Sequence, residues 1–334
     1  MNKHKFPYEW TLKDAVFTKD KGKVFSCFAC GGGSTMGYKL AGFDVIGCNE
    51  IDPRMAEAYK TNHNPKYCYI EPIQDFKNRK DLPEDLYNLD ILDGSPPCSS
   101  FSVAGNREKD WGKEKKFREG QEKQVLDTLF FDFIDLVKEL QPKVVIAENV
   151  KGLLMGESHQ YLSKIYDAYE EAGYKTVYRL LDSLEMGVPQ KRERVFFLSV
   201  RNDLADLIPK VDLFSEELEI DMNFYEEEIP VEDFVKYEKK KATINYCEDR
   251  FGDVILNPRK ASPTITSRVR FWEDALNVAS LESYSFMGSF PQDYIFNHNN
   301  VYIIGMSVPP VMMAQIATRV YDQWFRLFNS EANQ

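Results

Sequence analysis

A thiol that follows two prolines is the sharpest chemical feature of this sequence. Cys98 stands in the run Ser95-Pro96-Pro97-Cys98-Ser99-Ser100, directly after Leu89–Asp93, a segment predicted to form a strand. The prolines stiffen the backbone before the thiol, and the flanking serines disfavour the buried environment in which most cysteines are found. A thiolate is a strong nucleophile. We therefore interpret Cys98 as a candidate for covalent catalysis at the carboxyl end of a strand.

A glycine-rich turn near the start of the chain indicates a nucleotide-type ligand. Phe28-Ala29-Cys30-Gly31-Gly32-Gly33 follows an apolar run, and glycines let a backbone approach a ligand without obstruction by Cβ. About 20 residues further on, the next predicted strand ends at Asn49-Glu50-Ile51-Asp52, where a carboxylate can bind both hydroxyls of a ribose. The turn departs from the spacing G-x-G-x-x-G, which disfavours a nicotinamide enzyme. A plain tight turn remains the structural alternative.

Two polar clusters border strongly apolar strands. Glu148-Asn149-Val150 ends the run that begins at Val144, so we expect Glu148 at the rim of a sheet. Gln190-Lys191-Arg192-Glu193-Arg194 precedes another apolar run, and alternation places its two arginines on one side of an extended segment. A structural salt bridge is the alternative for each cluster. The loop Gly105–Lys123 carries seven basic residues and could either close over a phosphate backbone or be a solvated loop.

The segments that carry these residues alternate between strand and helix patterns. This alternation favours an α/β fold, a doubly wound and mostly parallel Rossmann-like sheet covered on both faces. Strands are predicted at Lys23–Phe28, Asp44–Asn49, Leu89–Asp93, Val144–Ala147, Tyr174–Leu181 and Val195–Val200. Helices are predicted at Thr35–Ala41, from Pro53, at Leu126–Leu140, Ser158–Ala172 and Pro309–Phe328.

Length and composition narrow the class of protein. The chain has 334 residues, enough for about two domains. Apolar runs fall short of the ~20 residues that cross a bilayer, and the first residues do not read as a secretory signal. Six cysteines are too few for a disulfide scaffold, which favours a reducing cytoplasm. A single C-x-x-C, at Cys27 and Cys30, without a second pair argues against a metal site.

The net charge is negative, and the acidic residues are distributed unevenly along the chain. The chain has 42 basic and 53 acidic side chains, a formal net charge of -11. Residues 201–260 carry 9 basic and 16 acidic residues, a difference of -7, so most of the excess lies in one segment. Its run Glu226-Glu227-Glu228 is interpreted as solvated surface. A negative net charge disfavours broad attraction to nucleic acid, but it is compatible with a local basic groove.

Together and in this order, these segments resemble the cytosine-5 DNA methyltransferase family of bacteria and phages. The resemblance runs from about residue 23 to about residue 325, and residues 201–260 are unmatched. The matching pieces are Phe28-Ala29-x-x-Gly32-Gly33, Pro96-Pro97-Cys98, Glu148-Asn149-Val150, Gln190-x-Arg192-x-Arg194, Pro263-Thr264-Ile265-Thr266-Ser267-Arg268, Phe286-Met287-Gly288-Ser289-Phe290-Pro291 and Gly305-x-Ser307-Val308-Pro309-Pro310.

The resemblance implies a reaction and a set of catalytic residues. A methyl group would pass from S-adenosylmethionine to C5 of a flipped-out cytosine in a specific DNA sequence, through a covalent bond between Cys98 and C6 of the base. Glu148 would donate a proton or hydrogen bond at N3. Arg194 would hold the O2 edge, and Arg192 would steady the loop and a nearby phosphate.

The resemblance also implies cofactor contacts. Glu50 would bind the ribose, Asp75 and Phe76 the adenine, and Ser307 and Val308 would close the pocket from the other side. The full expected set is Phe28, Ala29, Gly32, Gly33, Glu50, Ile51, Asp75, Phe76, Ser307 and Val308. S-adenosylhomocysteine would be the product, and no metal is expected.

Four positions depart from the family pattern. Cys30 stands where the family usually has its first glycine, and Ser26 stands where an aspartate is common. Met306 replaces an asparagine, and Leu126 occupies the place of an arginine that contacts the target phosphate. None of these changes touches Cys98, Glu148 or Arg194, so catalysis is expected to survive.

The domain prediction follows from the unmatched segment. We expect a catalytic, S-adenosylmethionine-binding domain at 1–200, completed by 301–334, and a small target-recognition region at 201–300. Double-stranded DNA is the expected partner, with a cognate restriction endonuclease as a further candidate, no membrane, and a location in the cytoplasm of a bacterium or phage-infected host. Candidate DNA contacts are Lys239, Lys240, Lys241, Arg250, Arg259, Lys260, Arg268 and Arg270.

Two other functions stay open. An RNA cytosine-5 methyltransferase of the same fold is favoured only by the small acidic recognition region. A non-catalytic DNA-binding homologue is disfavoured because the sequence keeps Cys98 and Glu148.

Overall fold

The structure is a computed structural model that describes residues 4–97, 114–115, 124–125, 128–155, 159–210, 218–239, 253–274 and 277–331. Cys98 and Leu126 lie outside the described residues, as does the basic loop Gly105–Lys123 apart from residues 114–115. Of the candidate DNA contacts, Lys240, Lys241 and Arg250 also lie outside.

A seven-stranded sheet forms the centre of the protein. In chain order the first nine strands are β1 (Lys23–Cys27), β2 (Asp44–Asn49), β3 (Tyr67–Tyr69), β4 (Ile91–Gly94), β5 (Glu114–Lys115), β6 (Gln124–Val125), β7 (Val144–Val150), β8 (Tyr174–Asp182) and β9 (Glu193–Arg201). The central sheet has the order β3-β2-β1-β4-β7-β9-β8, while β5 and β6 pair only with each other. The first five strands of that order are parallel, and β9 runs antiparallel to both β7 and β8. The predicted α/β fold with a mostly parallel sheet is confirmed.

Helices cover both faces of this sheet. In chain order the α-helices of the described residues are α1 (Gly33–Ala41), α2 (Pro53–His63), α3 (Ile73–Phe76), α4 (Leu129–Leu140), α5 (His159–Glu171), α6 (Asn202–Ala205), α7 (Leu281–Met287), α8 (Asn300–Met306), α9 (Pro310–Val320) and α10 (Arg326–Glu331). A π-helical turn, Tyr321–Phe325, joins the last two. The predicted strands and helices are found with boundary shifts of a few residues.

The alternation of side chains along each strand divides the core into two layers. Val24 and Val144 pack in one cluster with α1 and α9, whereas their neighbours Phe25 and Val145 pack in the other with α4 and α5. Successive side chains of a strand point to opposite faces, so strands that are apolar throughout require helices on both sides. This explains why the sheet is doubly wound.

The C-terminal helices complete the core. By length and hydropathy the helical stretch Asn300–Glu331 could cross a membrane, but 83% of its apolar window is buried inside the protein. Trp324 is fully buried and its indole N–H donates to the carbonyl oxygen of Glu219 at 2.9 Å. Core helices of this kind are apolar because they pack on all sides.

A second sheet lies within the expected target-recognition region. It consists of β10 (Tyr237–Lys239), β11 (Asp253–Ile255), β12 (Arg270–Trp272) and β13 (Asn277–Ala279), in the order β10-β13-β12-β11. Its apolar cluster also includes Met36 of α1 and Ile304 of α8, so the second sheet packs against these two helices. The division at residues 200 and 300 stays a prediction.

The acidic segment contributes to the main core. Leu218, Ile220, Met222 and Phe224 are buried in the cluster that contains α9. Glu226 is not solvated surface as expected, because it accepts hydrogen bonds from His4 Nδ1, the Lys5 amide and Gln315 Nε2. The acidic side chains thus alternate with apolar ones that attach this segment to the C-terminal helices.

Candidate active site

Glu148 and Arg194 form an ion pair at the carboxyl end of the parallel strands. Arg194 Nε lies 2.9 Å from Glu148 Oε1, and the two side chains are 16% and 12% exposed. Because β9 is antiparallel to β7, its first residues lie beside the last residues of β7, and Arg194 pairs in register with Val150. Burial lowers the pKa of Arg194, while the charge of Glu148 opposes this shift. The structure therefore brings together two residues that were predicted to act on one base.

Asn149 connects this pair to the loop that leads to Cys98. Its amide Nδ2 donates to the carbonyl oxygen of Pro96 at 3.2 Å, and the side chain is 3% exposed. Gly94, the last residue of β4, also pairs in register with Ala147 of β7. The backbone two residues before Cys98 is thus held by the strand that carries Glu148.

Arg192 has a different environment from Arg194. It is 2% exposed, and its two terminal nitrogens donate to the carbonyl oxygens of Ile265 and Gly305, at 3.2 and 3.0 Å. A phosphate contact is therefore not open to this side chain in the structure. The alternation of side chains predicted the side of the extended segment on which Arg192 lies. It could not predict that Arg192 is buried, because the residues whose carbonyl oxygens it contacts are distant in sequence. Arg192 joins β9 to the segments around Ile265 and Gly305.

The glycine-rich turn packs against the protein's own atoms. A Cβ on Gly31 would lie 2.3 Å from Ile303 Cγ2, one on Gly32 would lie 2.1 Å from His63 Nε2, and one on Gly33 would lie 2.4 Å from the carbonyl oxygen of Val308. Close packing is therefore one reason for glycine at these positions, and the approach of a ligand to the turn stays a prediction. Gly32 is also required by its φ of 90°.

Glu50 holds this turn to the end of β2. Its carboxylate accepts the amide of Cys30 at 2.7 Å and the amide of Asp52 at 2.8 Å. Burial raises the pKa of Glu50 to about 7, although these hydrogen bonds favour the charged form. A carboxylate fixed in this way keeps lone pairs that can accept hydroxyl groups.

The expected adenine contacts differ in accessibility. Phe76 is fully buried and stacks on Phe25, with ring centroids 5.5 Å apart, so its side chain is part of the core; its contact to adenine stays a prediction. Asp75 is exposed, and Ile51 and Phe28 are half-buried. These three side chains remain accessible near the ends of β1 and β2.

Ser307 and Val308 lie behind the glycine-rich turn. They are 3% and 4% exposed, and Ser307 Oγ donates to the carbonyl oxygen of Ile303 at 2.7 Å. A Cβ on Gly33 would meet both residues. Both residues thus pack against Gly33, and their closing of a cofactor pocket stays a prediction.

Comparisons with known proteins agree with these observations. A sequence profile of C-5 cytosine-specific DNA methylases matches residues 22–273. The chain belongs to this family. The type II methyltransferase M.FnuDI of Fusobacterium nucleatum is 36% identical over 182 residues, which cover 54% of this chain and 48% of that protein. The type II methyltransferase M.Eco47II of Escherichia coli is 32% identical over 252 residues, 72% of this chain and 55% of that protein. The chain thus matches about half the length of these curated relatives.

Solved structures of related fold cover more of this chain. A putative DNA modification methyltransferase from an Escherichia coli prophage superposes with a TM-score of 0.61 at 19% identity, covering 90% of this chain and 99% of that one. A DNMT2 variant of Spodoptera frugiperda gives a TM-score of 0.64 at 16% identity, with the same coverage. At these identities the likeness concerns the fold.

Sequence reasoning missed one buried acidic residue, which lies near the candidate site. Asp93 of β4 is 1% exposed and accepts hydrogen bonds from Ser26 Oγ at 2.6 Å, Ser34 Oγ at 2.9 Å and Tyr38 Oη at 3.2 Å. Burial raises its pKa to about 6, and the charge of Glu148 adds to the shift. The signal available in the sequence was a carboxylate at the end of an apolar strand. In the structure it lies beside Ser26, one of the positions that depart from the family pattern.

Proposed function

We propose that this protein transfers a methyl group from S-adenosylmethionine to C5 of a flipped-out cytosine in a specific double-stranded DNA sequence. The observation that supports it best is the Glu148–Arg194 ion pair beside the backbone that leads to Cys98, in a chain of this family. Such a pair can bind the polar edge of one pyrimidine, because Arg only donates hydrogen bonds while a carboxyl group can accept or, when protonated, donate.

The residues at the ends of β1 and β2 suit S-adenosylmethionine. Glu50 offers a fixed carboxylate to the ribose hydroxyls, and the half-buried Ile51 and Phe28 offer apolar surface to the adenine. The exposed Asp75 can accept the adenine amino group. When bound there, S-adenosylmethionine supplies an electrophilic methyl group.

The chain's own residues would activate the base. Addition of the Cys98 thiolate at C6 would make C5 nucleophilic; once C5 carries the methyl group, loss of the C5 proton to solvent with breakage of the S–C6 bond would free the thiolate. Glu148 would donate a proton or hydrogen bond at N3, and Arg194 would bind O2 while orienting Glu148. Arg194 also places a positive charge near the reacting base, which favours the thiolate.

DNA would contact the second sheet and its neighbouring segments. Lys239, Arg259, Lys260, Arg268 and Arg270 are exposed there. Lys260 pairs with Glu228 at 3.6 Å and Arg270 with Asp253 at 2.7 Å, so these two would exchange an acidic partner for a phosphate. With a net charge of -11, attraction to DNA must come from such local groups.

Labelled S-adenosylmethionine tests the activity directly. Incubation with matched DNA duplex and RNA of the same sequence should label the DNA, and Cys98→Ser should abolish the labelling. Label in RNA alone would overturn the DNA proposal and favour the RNA alternative. A duplex with 5-fluorocytosine at the target should trap the wild-type chain covalently, and failure to trap would contradict the attack by Cys98.

A role in restriction–modification is the further proposal for the whole protein. Curated relatives include type II methyltransferases and an orphan methyltransferase of Bacillus phage SPR. Expression in a methylation-free host followed by mapping of 5-methylcytosine would give the target sequence. Protection of that DNA against an endonuclease of the same specificity would support a cognate pair.

A further inference from the structure

Asp93 lies at the point where the strand order of the sheet reverses. From β1 the chain continues outward to β2 and β3, and then returns to β4 on the other side of β1. Ligands of doubly wound sheets bind at such a point. Asp93 pairs in register with Ser26 across the gap between β4 and β1.

The carboxylate of Asp93 holds the start of α1. Ser34, in the first turn of α1, and Tyr38, one turn further on, both donate their hydroxyl groups to it. The N-cap of α1 is Gly32, which offers no side-chain cap, and the first turn of α1 has no acidic residue. Asp93 therefore supplies from a neighbouring strand the negative charge that stabilises a helix N-terminus.

The same residue is connected to the loop of the nucleophile. Gly94 follows Asp93, and a Cβ on Gly94 would lie 2.5 Å from the ring of Phe133. Ser95, Pro96, Pro97 and Cys98 come next in the chain. The position of Asp93 thus constrains both the glycine-rich turn and the start of the loop that carries the thiol.

Asp93 lies opposite Ser26 in register, and the hydroxyl of Ser26 donates to its carboxylate at 2.6 Å. We propose that Asp93 is a positioning residue of the methyl-donor site, because its carboxylate joins β4 to β1 and to α1. Through Ser26, Ser34 and Tyr38 it holds β1, the turn and α1 in the conformation that binds S-adenosylmethionine. This inference rests on the proposed function.

An exchange of the two side chains tests the inference. Asp93→Asn should weaken binding of S-adenosylmethionine, measured by calorimetry, by about tenfold, because a charge-assisted set of hydrogen bonds is lost. It should raise KM for S-adenosylmethionine while leaving kcat at saturation within about threefold. The double variant Ser26→Asp/Asp93→Ser returns one carboxylate to the gap and should recover affinity to within about threefold of wild type.

The outcomes separate the inference from the proposed function. If wild type binds S-adenosylmethionine and Asp93→Asn binds equally well, the inference is wrong and the function stands. A folded double variant that stays as weak as Asp93→Asn would also overturn it. If Asp93→Asn does not fold, Ser34→Ala decides: weaker binding by more than about threefold supports the inference, and unchanged binding contradicts it. A wild type that neither binds S-adenosylmethionine nor methylates DNA overturns both.

Discussion

At the scale of single residues, Glu148 on β7 and Glu193 on the neighbouring strand β9 both form ion pairs, but in different environments. Glu148 pairs with Arg194 and is 12% exposed, whereas Glu193 pairs with Lys151 at 2.7 Å and is 38% exposed. Ion pairs in solvent contribute little to stability or function, since water screens them. The Glu148–Arg194 pair is nearly buried, so water screens it less.

The substitution Glu148→Gln should lower the rate of DNA methylation by about 10²–10⁴, the range expected when a positioned proton donor is lost. Affinity for S-adenosylmethionine should change little, because Glu148 is not among the expected cofactor contacts. Single-turnover methylation of a target duplex measures the rate. Glu193→Gln is the matched control and should stay within about threefold of wild type. A Glu148→Gln rate within tenfold of wild type would contradict the assigned role.

Glu50 should make cofactor binding depend on pH. Its pKa is raised to about 7 by burial, so the carboxylate takes up a proton as the pH falls through 7 and becomes a poorer acceptor for ribose hydroxyls. Affinity for S-adenosylmethionine should therefore fall about tenfold between pH 8 and pH 6. Calorimetric titration at four pH values checks this.

Two nearby carboxylates require a control for that titration. Asp52 lies next to Glu50, and the pKa of Asp93 is raised to about 6. Glu50→Gln should bind S-adenosylmethionine more weakly at pH 8, and its affinity should vary less between pH 8 and pH 7 than that of wild type. Equal pH profiles for the two proteins would assign the titration to another group.

At the scale of elements, the antiparallel direction of β9 decides the geometry of the site. If β9 were parallel to β7, Arg194 would lie at the opposite edge of the sheet from Glu148. The observed register places Arg194 beside Val150 instead. The sequence predicted that β9 is a strand. It could not predict the direction of β9, because side chains alternate in the same way along a parallel and an antiparallel strand.

Asn149 on β7 should affect the nucleophile rather than the cofactor. Asn149→Ala removes the donor to the Pro96 carbonyl and should lower kcat about 10- to 100-fold, since small displacements of a reacting group are costly. The dissociation constant for S-adenosylmethionine should stay within about twofold of wild type. Asn202→Ala, at the exposed start of α6, is the control and should leave both quantities unchanged. A weaker cofactor affinity with unchanged kcat would contradict this assignment.

At the scale of the whole molecule, the acidic segment is part of the scaffold. Phe224 is buried against the C-terminal helices, and the Arg319 guanidinium lies 5.3 Å from its ring centroid. Arg319 also contacts Asp221, and its Nη2 donates to the carbonyl oxygen of Asn223. The excess of negative charge is thus carried by a segment whose apolar side chains attach it to α9.

Phe224→Ala should lower the free energy of unfolding by about 3 kcal/mol, because a buried ring leaves a cavity. Its neighbour Tyr225 is 88% exposed, so Tyr225→Ala is a matched control that should change stability by less than about 0.5 kcal/mol. Urea denaturation followed by circular dichroism measures both. DNA affinity of folded Phe224→Ala should equal that of wild type, and a large loss would indicate that this segment contacts DNA.

The local pattern of the chain predicted six of the seven strands of the main sheet, the longer helices and the doubly wound class, while the roles of the candidate site residues stay predictions. It could do so because a period of two or 3.6 residues and a turn such as Gly31–Gly33 are properties of neighbours in sequence. The depth of Arg192, the burial of Phe76, the packing reason for the glycines and the contacts of Asp93 came only from the tertiary structure. Each depends on residues far away in the chain, whose approach is set by strand order, strand direction and the packing of helices on the sheet.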